Sequence, residues 1–313
     1  MADLVSYIIR KLLLAIPVIF LATFIVFLML YLTPGDPVAM IAPAHASAAD
    51  LEEIREKYGF NDPFAVQYWR FLERLSSGDL GTSVAIGTLN TDVSYLLAQR
   101  LPRTLELMAI GLTISYSIGI PLGVYSALKQ DTWTDRSVMV FTLVAYAMPS
   151  FWLGILLMMA LAVYTHILPI QGTVGGFGSI LLPALTLGLG NAALTTRMMR
   201  SSMLEVKRQD YITQLRSRGL PEREIIFKHA LRNALLPVIT VIGLDIGWFV
   251  GGAVVVETVF SWPGVGMLVT SSISTHDFPT VQGCILVLAF FVVIGNLVAD
   301  ILYALADPRV RLG

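Results

Sequence analysis

Asp245 is a carboxylic acid in the middle of an otherwise apolar stretch, VIGLDIGWFVGG. It lies roughly ten residues into a predicted membrane-spanning helix, about 15 Å along the helix axis. A carboxylate at that depth costs roughly 2.5–3.5 kcal/mol to insert, so the side chain should face water or another helix rather than lipid. It could bind a cationic ligand, or it could hold two helices together as a protonated or hydrogen-bonded acid. Glu257, near the far end of the same span, is a second and weaker candidate of this kind.

A strongly basic stretch, DYITQLRSRGLPEREIIFKHALRNALLP, covers residues 210–237. We expect Asp210 to cap a short helix that runs to Arg218, with Gly219 as its left-handed stop. Pro221 suits the first position of a second helix, because its missing N–H would have no partner there. The second helix has an apolar face of Ile226, Ala230, Leu231 and Ala234, and Glu224 pairs with Lys228 four residues on. The stretch therefore predicts a folded helix-turn-helix, larger than a link between two spans requires.

Three kinds of partner could touch this basic turn, by which we mean residues 210–228: anionic lipid, nucleic acid or another protein. Lipid attraction, worth roughly 1 kcal/mol per cation, explains the charge but not the Gly-Leu-Pro sequence. A DNA-reading helix-turn-helix does not suit a loop that is tethered at both ends to a membrane. Docking of a protein explains both the charge and the turn.

The other chemistry-bearing residues do not assemble into a site. None of the five Lys residues follows a Gly, so the sequence has no Gly-Lys of a phosphate-binding loop. The four His residues are scattered, and Cys284 alone can form neither a disulfide nor a thiolate metal site. No nucleophile stands at a spacing that pairs it with a base. We therefore expect no enzyme activity, no metal site and no cofactor on this chain.

The composition indicates an integral membrane protein. The 313 residues are 56% hydrophobic and 14% charged, and the mean hydropathy is +0.73. The net charge of −1 argues against a protein that coats nucleic acid. Six apolar runs are long enough to cross a bilayer as helices, namely 12–32, 104–128, 138–165, 180–199, 235–257 and 281–305. The expected fold class is all-α, with six transmembrane helices.

The Lys and Arg residues orient these spans. The N-terminus, residues 129–137, residues 197–232 and the C-terminal tail together carry 15 of the 21. The 165–180 and 258–280 loops carry none. By the positive-inside rule, the basic segments and both termini are expected in the cytoplasm.

The long 33–103 segment after the first span carries helix signals of its own. Ser47-Ala-Ala-Asp50 resembles a capping box for a short helix that ends before Gly59. Asp62 and Pro63 predict the cap and the first residue of a further helix. The apolar stripe of that helix is Phe64, Tyr68, Phe71, Leu72 and Leu75. The segment is either a cap that lies on the membrane or on a partner subunit, or a small self-packed subdomain.

Small residues recur at every fourth position in two spans. One series is Gly111, Ser115, Gly119 and Gly123, and the other is Gly243, Gly247 and Gly251. Such series let helix backbones approach closely in lipid, so they predict a tightly packed bundle or a dimer face.

Seven segments carry a family resemblance. RSRGLPEREIIFKHALRNALLPVIT (216–240) resembles the cytoplasmic coupling loop of the permease subunits of ATP-binding-cassette (ABC) importers, in the form found in the dipeptide/oligopeptide permease family. The other segments, which match in the same order nearly end to end, are YLTPGDPV (31–38), EIREKYGFNDPFAVQYW (53–69), GDLGTS (78–83), PSFWLG (149–154), VVVETVFSWPGVGML (254–268) and DILYALADPRVR (300–311). There is one departure, because Thr213-Gln214-Leu215 replace the small residues of the usual Glu-Ala-Ala-x-x-x-Gly pattern before Gly219.

The resemblance implies a permease of the bacterial inner membrane that forms half of a pore for di- or oligopeptides. It implies a heterodimer with a second homologous permease subunit, two cytoplasmic ATPase subunits that hold ATP and Mg²⁺, and an extracytoplasmic substrate-binding protein. Membrane lipid is a further partner, and nucleic acid is not. The residues expected to couple to the ATPase are Tyr211, Gln214, Arg218, Gly219, Leu220 and Glu222. Asp245 and Glu257 are pore candidates because of their depth in the span, and related permeases often carry an amide at the position of Asp245.

The predicted spans and their orientation divide the chain. Residues 1–32 hold the N-terminus and the first helix, and 33–103 form a small extracytoplasmic subdomain. Residues 104–305 form the core permease domain with its coupling loop at 200–234, and 306–313 form a cytoplasmic tail.

Other functions stay open at this point. Relatives of this family also carry nickel, glutathione or sugars. A stand-alone secondary transporter or channel is a hypothesis of a different class, although such proteins usually have more spans or inverted repeats, and no convincing repeat is visible in six spans. A membrane scaffold or enzyme is the third hypothesis.

Overall fold

The computed structural model describes residues 2–32, 47–59, 61–85, 90–169 and 178–306. In chain order the helices are α1 (Ala2–Leu32), α2 (Ala48–Tyr58), α3 (Phe64–Ser76), α4 (Val93–Leu128), α5 (Trp133–Ala147), α6 (Ser150–Leu157), α7 (Gly178–Lys207), α8 (Asp210–Ser217), α9 (Glu222–Glu224), α10 (Leu231–Phe260), α11 (Val265–Ser274) and α12 (Phe278–Ala306). Two π-helical segments, Met158–Tyr164 and Ile225–Ala230, extend α6 and join α9 to α10. Beyond Ala306, the predicted tail lies outside the described residues.

Five helices are long and apolar enough to cross a membrane, and two bent helix pairs pass the same test. One pair is α5 with α6 and its π extension, bent by 110°, and the other is the later part of α10 with α11, bent by 67°. Because the second pair shares α10 with one of the five long helices, the arrangement is consistent with the six spans predicted. The all-α membrane fold is confirmed for the described part of the chain.

The third span is broken rather than straight. The sequence predicts one run over 138–165, but α5 ends at Ala147 and α6 begins at Ser150. Pro149 explains the break, because its ring clashes with the carbonyl four residues earlier and it has no N–H to donate. Met148 takes an extended backbone conformation, as is favoured before proline. The two halves of the span therefore leave the bend in different directions.

Helices α4 and α7 pack together along much of their length. A Cβ added at Gly119 would lie 2.7 Å from the Cβ of Thr195, and one at Gly123 would lie 2.6 Å from the Cβ of Met199. Real side chains do not approach so closely, so these glycines permit the contact between the two helices. The close packing predicted from the first small-residue series is confirmed, and it occurs within one chain.

The second small-residue series is only partly covered. A Cβ at Gly247 would touch Val292 of α12 at 3.5 Å, whereas one at Gly251 would have no atom within 4 Å in the described chain. Gly251 belongs to an exposed face that runs along α10 at helical spacing. We call this face, formed by Leu244, Trp248, Gly251 and Val255, the α10 stripe.

The two helices after α1 begin close to where the sequence places them. Ser47 and Asp50 form the predicted capping box, with hydrogen bonds of 2.8 and 3.3 Å that lower the pKa of Asp50. Gly59 ends α2 with φ +70°. The prediction for α3 is wrong by one residue, because Pro63 is its cap rather than its first residue. Asp62 instead pairs with the guanidinium of Arg70 at 2.5 Å.

The apolar stripe of α3 packs against the first membrane helix. Tyr68 and Phe71 are buried beside Phe24 and Phe27 of α1, and the Tyr68 ring lies 5.4 Å from both α1 rings. The Tyr68 hydroxyl also hydrogen-bonds with that of Thr23, at 3.0 Å. The stripe therefore faces the chain's own α1 rather than lipid or a partner subunit.

Candidate functional site

The basic turn folds as two helical segments joined at Gly219. Helix α8 begins at Asp210, with Gln209 as its cap, and Arg218 caps its end. The predicted cap at Asp210 is therefore wrong by one residue, and Asp210 instead lies in the first turn, where its charge complements the helix dipole. Gly219 has φ +80°, the left-handed conformation that was predicted. Pro221 is the cap of α9 rather than its first residue, which corrects that prediction by one position.

An ion pair connects the two helical segments of the basic turn. Arg216 donates from Nε and Nη2 to the two carboxylate oxygens of Glu222, at 3.1 and 2.7 Å. These hydrogen bonds raise the pKa of Arg216 above its already high ordinary value. Both side chains are exposed, so the pair stabilises the fold by less than about 1 kcal/mol. Sequence reasoning singled out Glu222 but missed Arg216; opposite charges on either side of a Gly-Leu-Pro turn were the available signal.

Buried contacts tie the turn to the membrane helices. Ile212 of α8 is fully buried in an apolar cluster that includes Met199 of α7 and Ala234 of α10. The hydroxyl of Tyr211 accepts a hydrogen bond of 2.8 Å from the side-chain amide of Asn233. Displacement of α8 must therefore strain its contacts with α7 and α10.

The turn also presents an open face. Gln214, Arg218 and Gly219 are exposed, and Leu220 is half-buried. In the described chain, no atom lies within 4 Å of a Cβ added to Gly219. A Cβ at this position would therefore meet open space, which leaves room for a partner to approach the backbone.

A shallow depression of about 590 Å³ lies on the second half of the basic turn. Its lining consists of Pro221, Arg223, Glu224, Phe227 and Lys228. Phe227 is 55% exposed, although it sits among charged side chains. Sequence analysis did not single out Phe227, and the available signal was an aromatic residue outside the predicted apolar face of its helix. The depression adds an apolar contact point to a charged surface.

Asp245 lies at the junction of three helices. Its Oδ2 accepts hydrogen bonds from the hydroxyl of Tyr116 on α4 and from the amide of Asn191 on α7, the latter at 2.7 Å. The same amide donates to the Ser115 hydroxyl at 3.1 Å. Asp245 itself is only 5% exposed. The cluster therefore joins α4, α7 and α10, and sequence reasoning missed both partners of Asp245.

Glu257 lies deeper in the protein than a pore-mouth position requires. It is 0% exposed, and its carboxylate accepts hydrogen bonds from the Thr104 hydroxyl (2.7 Å) and the Gly266 and Met267 N–H groups (2.7 and 3.2 Å). The two N–H donors belong to the first turn of α11, where a negative charge complements the helix dipole. Through these hydrogen bonds, Glu257 links α4, α10 and α11 inside the protein.

The described helices form a membrane bundle that carries an exposed turn between α7 and α10. Residues 119–312 match the family described as binding-protein-dependent transport system inner membrane component, and residues 4–108 match the family of its N-terminal part. The chain belongs to this family of inner membrane transport components.

Relatives match the chain over nearly its whole length. The oligopeptide transport system permease protein AppB of Bacillus subtilis (strain 168) is 41% identical, over 98% of this chain and 99% of that protein. The glutathione transport system permease protein GsiC of Salmonella paratyphi A is 35% identical, over 98% of this chain and 99% of that protein. Their names confirm the resemblance to the permease family drawn from the sequence.

A solved structure shares the fold. A chain of the MetNI methionine ABC transporter, in an inward-facing conformation, matches with a TM-score of 0.58 at 19% identity. The match covers 68% of this chain and 97% of that chain. At this identity the likeness shows the fold alone.

Proposed function

We propose that this chain is the permease subunit of an ATP-driven importer of di- or oligopeptides and forms half of its translocation pore. The observation that carries the proposal is the basic turn, which is open on one face and anchored on the other to two membrane helices. A docking site for a motor protein needs both properties, because the motor must reach the turn and the turn must move the membrane helices. The peptide and oligopeptide names of the full-length relatives support the solute class.

In this proposal the chain pairs with a second homologous permease, and two ATPase subunits supply ATP and Mg²⁺. The residues that contact the ATPase are Tyr211, Gln214, Arg218, Gly219, Leu220 and Glu222. Arg216 holds Glu222 in place through their ion pair, and Phe227 adds an apolar contact. Both termini and the 200–234 loop lie in the cytoplasm, as the distribution of Lys and Arg favours. The 33–103 segment lies outside the cytoplasm, where a substrate-binding protein delivers the solute.

Helices α7 and α10 would transmit movement of the basic turn to the hydrogen-bonded cluster around Asp245. Helix α10 continues from the π segment Ile225–Ala230 without a break, and it carries Asp245. Helix α7, against which α8 packs, carries Asn191. Asp245 and Asn191 are buried in this conformation, and a shift of the turn relative to the bundle would change the packing that buries them. Asp245 is the residue we propose to meet the amino group of the solute once it is uncovered.

Glutathione is the second candidate solute, because GsiC is similar over the whole chain. Glutathione, like an ordinary peptide, carries a free amino group and carboxylates, so the same pore chemistry would serve both.

Purification of the complex from membranes of the producing organism tests the proposal. We expect mass spectrometry to find a second permease, ATPase chains and a binding protein, and to find a peptide retained by that binding protein. A sugar or metal ion in the binding protein would refute the peptide assignment. Concentrative uptake by this chain reconstituted alone would refute the whole assembly.

A further inference from the structure

Arg197 on α7 is a cation without a counter-ion among the residues that the structure describes. In the described part of the chain it has no ion-pair partner, and its Nε is buried without a hydrogen-bond acceptor. Arg200, one helical turn further along, has the opposite environment, because its Nε and Nη2 each donate to Asp135 at 2.7 Å. Of these two arginines on one helix, only Arg200 therefore has an anionic hydrogen-bond acceptor in the described chain.

The guanidinium of Arg197 is held in a defined place. Its Cζ lies 4.5 Å from the centre of the Tyr146 ring, near the end of α5. The negative face of an aromatic ring attracts a cation in this position. The Arg197 Nε is buried, but its terminal nitrogens make no hydrogen bond in the described chain and are not among its buried atoms that lack a partner. The outer end of the guanidinium is therefore open to a ligand.

The energetics call for an acceptor from outside the described chain. A cation in the membrane is costly unless it meets water or an opposite charge. Buried donors in folded proteins nearly always have acceptors, and each missing acceptor costs free energy. An anionic group placed against the open end of Arg197 would supply the missing opposite charge and accept hydrogen bonds from the terminal nitrogens.

Arg197 lies on a face of α7 that adjoins the α10 stripe. Gly190, Leu194, Arg197 and Ser201 recur at helical spacing, and each is at least partly exposed. A Cβ added at Gly190 would lie 3.9 Å from the Trp248 ring of the α10 stripe. The two uncovered faces therefore meet and form one surface. Asn191, which holds Asp245, lies six residues from Arg197 and so about 9 Å along the helix.

We propose that Arg197 is an anion-binding residue of the translocation path and receives a carboxylate of the solute, such as the C-terminal carboxylate of a peptide. The proposal rests on the proposed function, because it requires the joined α7 and α10 faces to line the pore. A planar guanidinium suits two-point contact with a carboxylate. The stack on Tyr146 holds the guanidinium against α5, and the lipid composition of the vesicles in the test below distinguishes a solute carboxylate from a lipid headgroup.

The test uses the complete transporter in lipid vesicles. It compares Arg197→Gln and Arg197→Lys with Arg136→Gln, a control that removes an exposed arginine of α5. The substrates are a peptide and its C-terminal amide, both selected because the wild-type complex imports them. We expect Arg197→Gln to reduce uptake of the free-acid peptide about tenfold, the scale of one charged hydrogen bond, and to leave uptake of the amide nearly unchanged. Arg197→Lys should retain part of the preference for the acid, and the control should retain all of it.

Other outcomes would overturn the proposal. An equal loss of uptake for both peptides would indicate a packing role for Arg197. A loss that occurs only in vesicles containing phosphatidylglycerol would indicate a lipid headgroup as the ligand.

Failure of the proposed function can be distinguished from failure of this inference. If the wild-type complex imports no peptide, the peptide assignment fails, and Arg197→Cys is then tested with the solute that the complex does import. Cys284 is fully buried and should not react. Recovery of uptake after a cationic thiol reagent, but not after an anionic one, would support the anion site. An uncharged solute, or equal recovery with both reagents, would overturn it.

Discussion

Asp135 of α5 and Arg200 of α7 form a two-point ion pair, with both nitrogen–oxygen distances at 2.7 Å. The Asp135 carboxylate is buried, and it also accepts a hydrogen bond from the Ser126 hydroxyl of α4. One carboxylate thus joins three helices. The pair links the helices, but a buried carboxylate that loses its partner keeps an uncompensated charge. Removal of Arg200 alone should therefore destabilise the protein.

We expect Arg200→Met to destabilise the protein by on the order of 3 kcal/mol, because it leaves Asp135 buried and unpaired. The measurement is the thermal unfolding midpoint of the purified complex. The double variant Arg200→Met with Asp135→Leu should recover much of the loss, since apolar side chains then replace both charges. Asp131→Asn, on the exposed turn next to this pair, is the matched control and should change little. A single variant as stable as wild type would show that the pair is dispensable.

We expect Gly219→Trp to leave the chain in the membrane but to abolish ATPase docking. The left-handed backbone at this position costs a non-glycine residue about 1 kcal/mol, and the space around it is empty within the described chain. The added bulk should therefore obstruct a partner that docks against this turn. The measurements are co-purification of the ATPase chains and ATP-dependent uptake.

Gly78 provides a matched control for this variant. Its φ is +79°, against +80° at Gly219, and an added Cβ would likewise have no neighbour within 4 Å. It lies on the 33–103 segment, away from the basic turn, so Gly78→Trp should keep its ATPase partners. Normal uptake by Gly219→Trp would refute the docking role, and equal loss in both variants would indicate a folding defect.

Asp245→Asn distinguishes a charge requirement from a packing requirement. Asparagine keeps the shape and can still accept the hydrogen bonds of Tyr116 and Asn191, so assembly should persist. If Asp245 meets a cationic part of the solute, uptake of zwitterionic or cationic substrates should fall several-fold, as expected for loss of a charged hydrogen bond. Full activity of Asp245→Asn, together with failure of Asp245→Leu to assemble, would assign the residue to helix packing alone.

The orientation is tested with single cysteines at Ser77 and Ser217, both exposed. A membrane-impermeant thiol reagent added outside intact cells should label Ser77→Cys and should reach Ser217→Cys only after the membrane is opened. Labelling of both positions from the same side would contradict the positive-inside argument.

The sequence predicts the class of fold well, because apolar runs of bilayer length have few other uses. It also locates the left-handed Gly219 and the buried Asp245. It does not predict the bend at Pro149 as a break in the span, since prolines also occur inside α4, α7 and α10 without ending those helices.

The partners of the site residues were out of reach for a different reason. Tyr116 and Asn191 lie on other helices than Asp245, and the periodicity of one helix carries no information about its register against another. Arg197 was counted among the basic residues of a loop, whereas the structure gives it a position on the membrane helix α7. The count of Lys and Arg residues predicts how the chain is oriented in the membrane. Only the packing of the helices shows that the Nε of Arg200 has a hydrogen-bond acceptor and that of Arg197 has none in the described chain.

The first and last membrane helices are neighbours, which sets the order in which the protein can be completed during synthesis. Val26 of α1 packs in one cluster with Leu286 of α12 and with Tyr68 and Phe71 of α3. Helix α3 leaves the ribosome soon after α1, whereas α12 emerges only when nearly every other helix has been made. Until α12 has been synthesised, α1 can therefore pack against the aromatic side chains of α3. A chain that stalls before α12 would leave the α12-facing side of α1 exposed to lipid and to the quality-control proteases of the membrane.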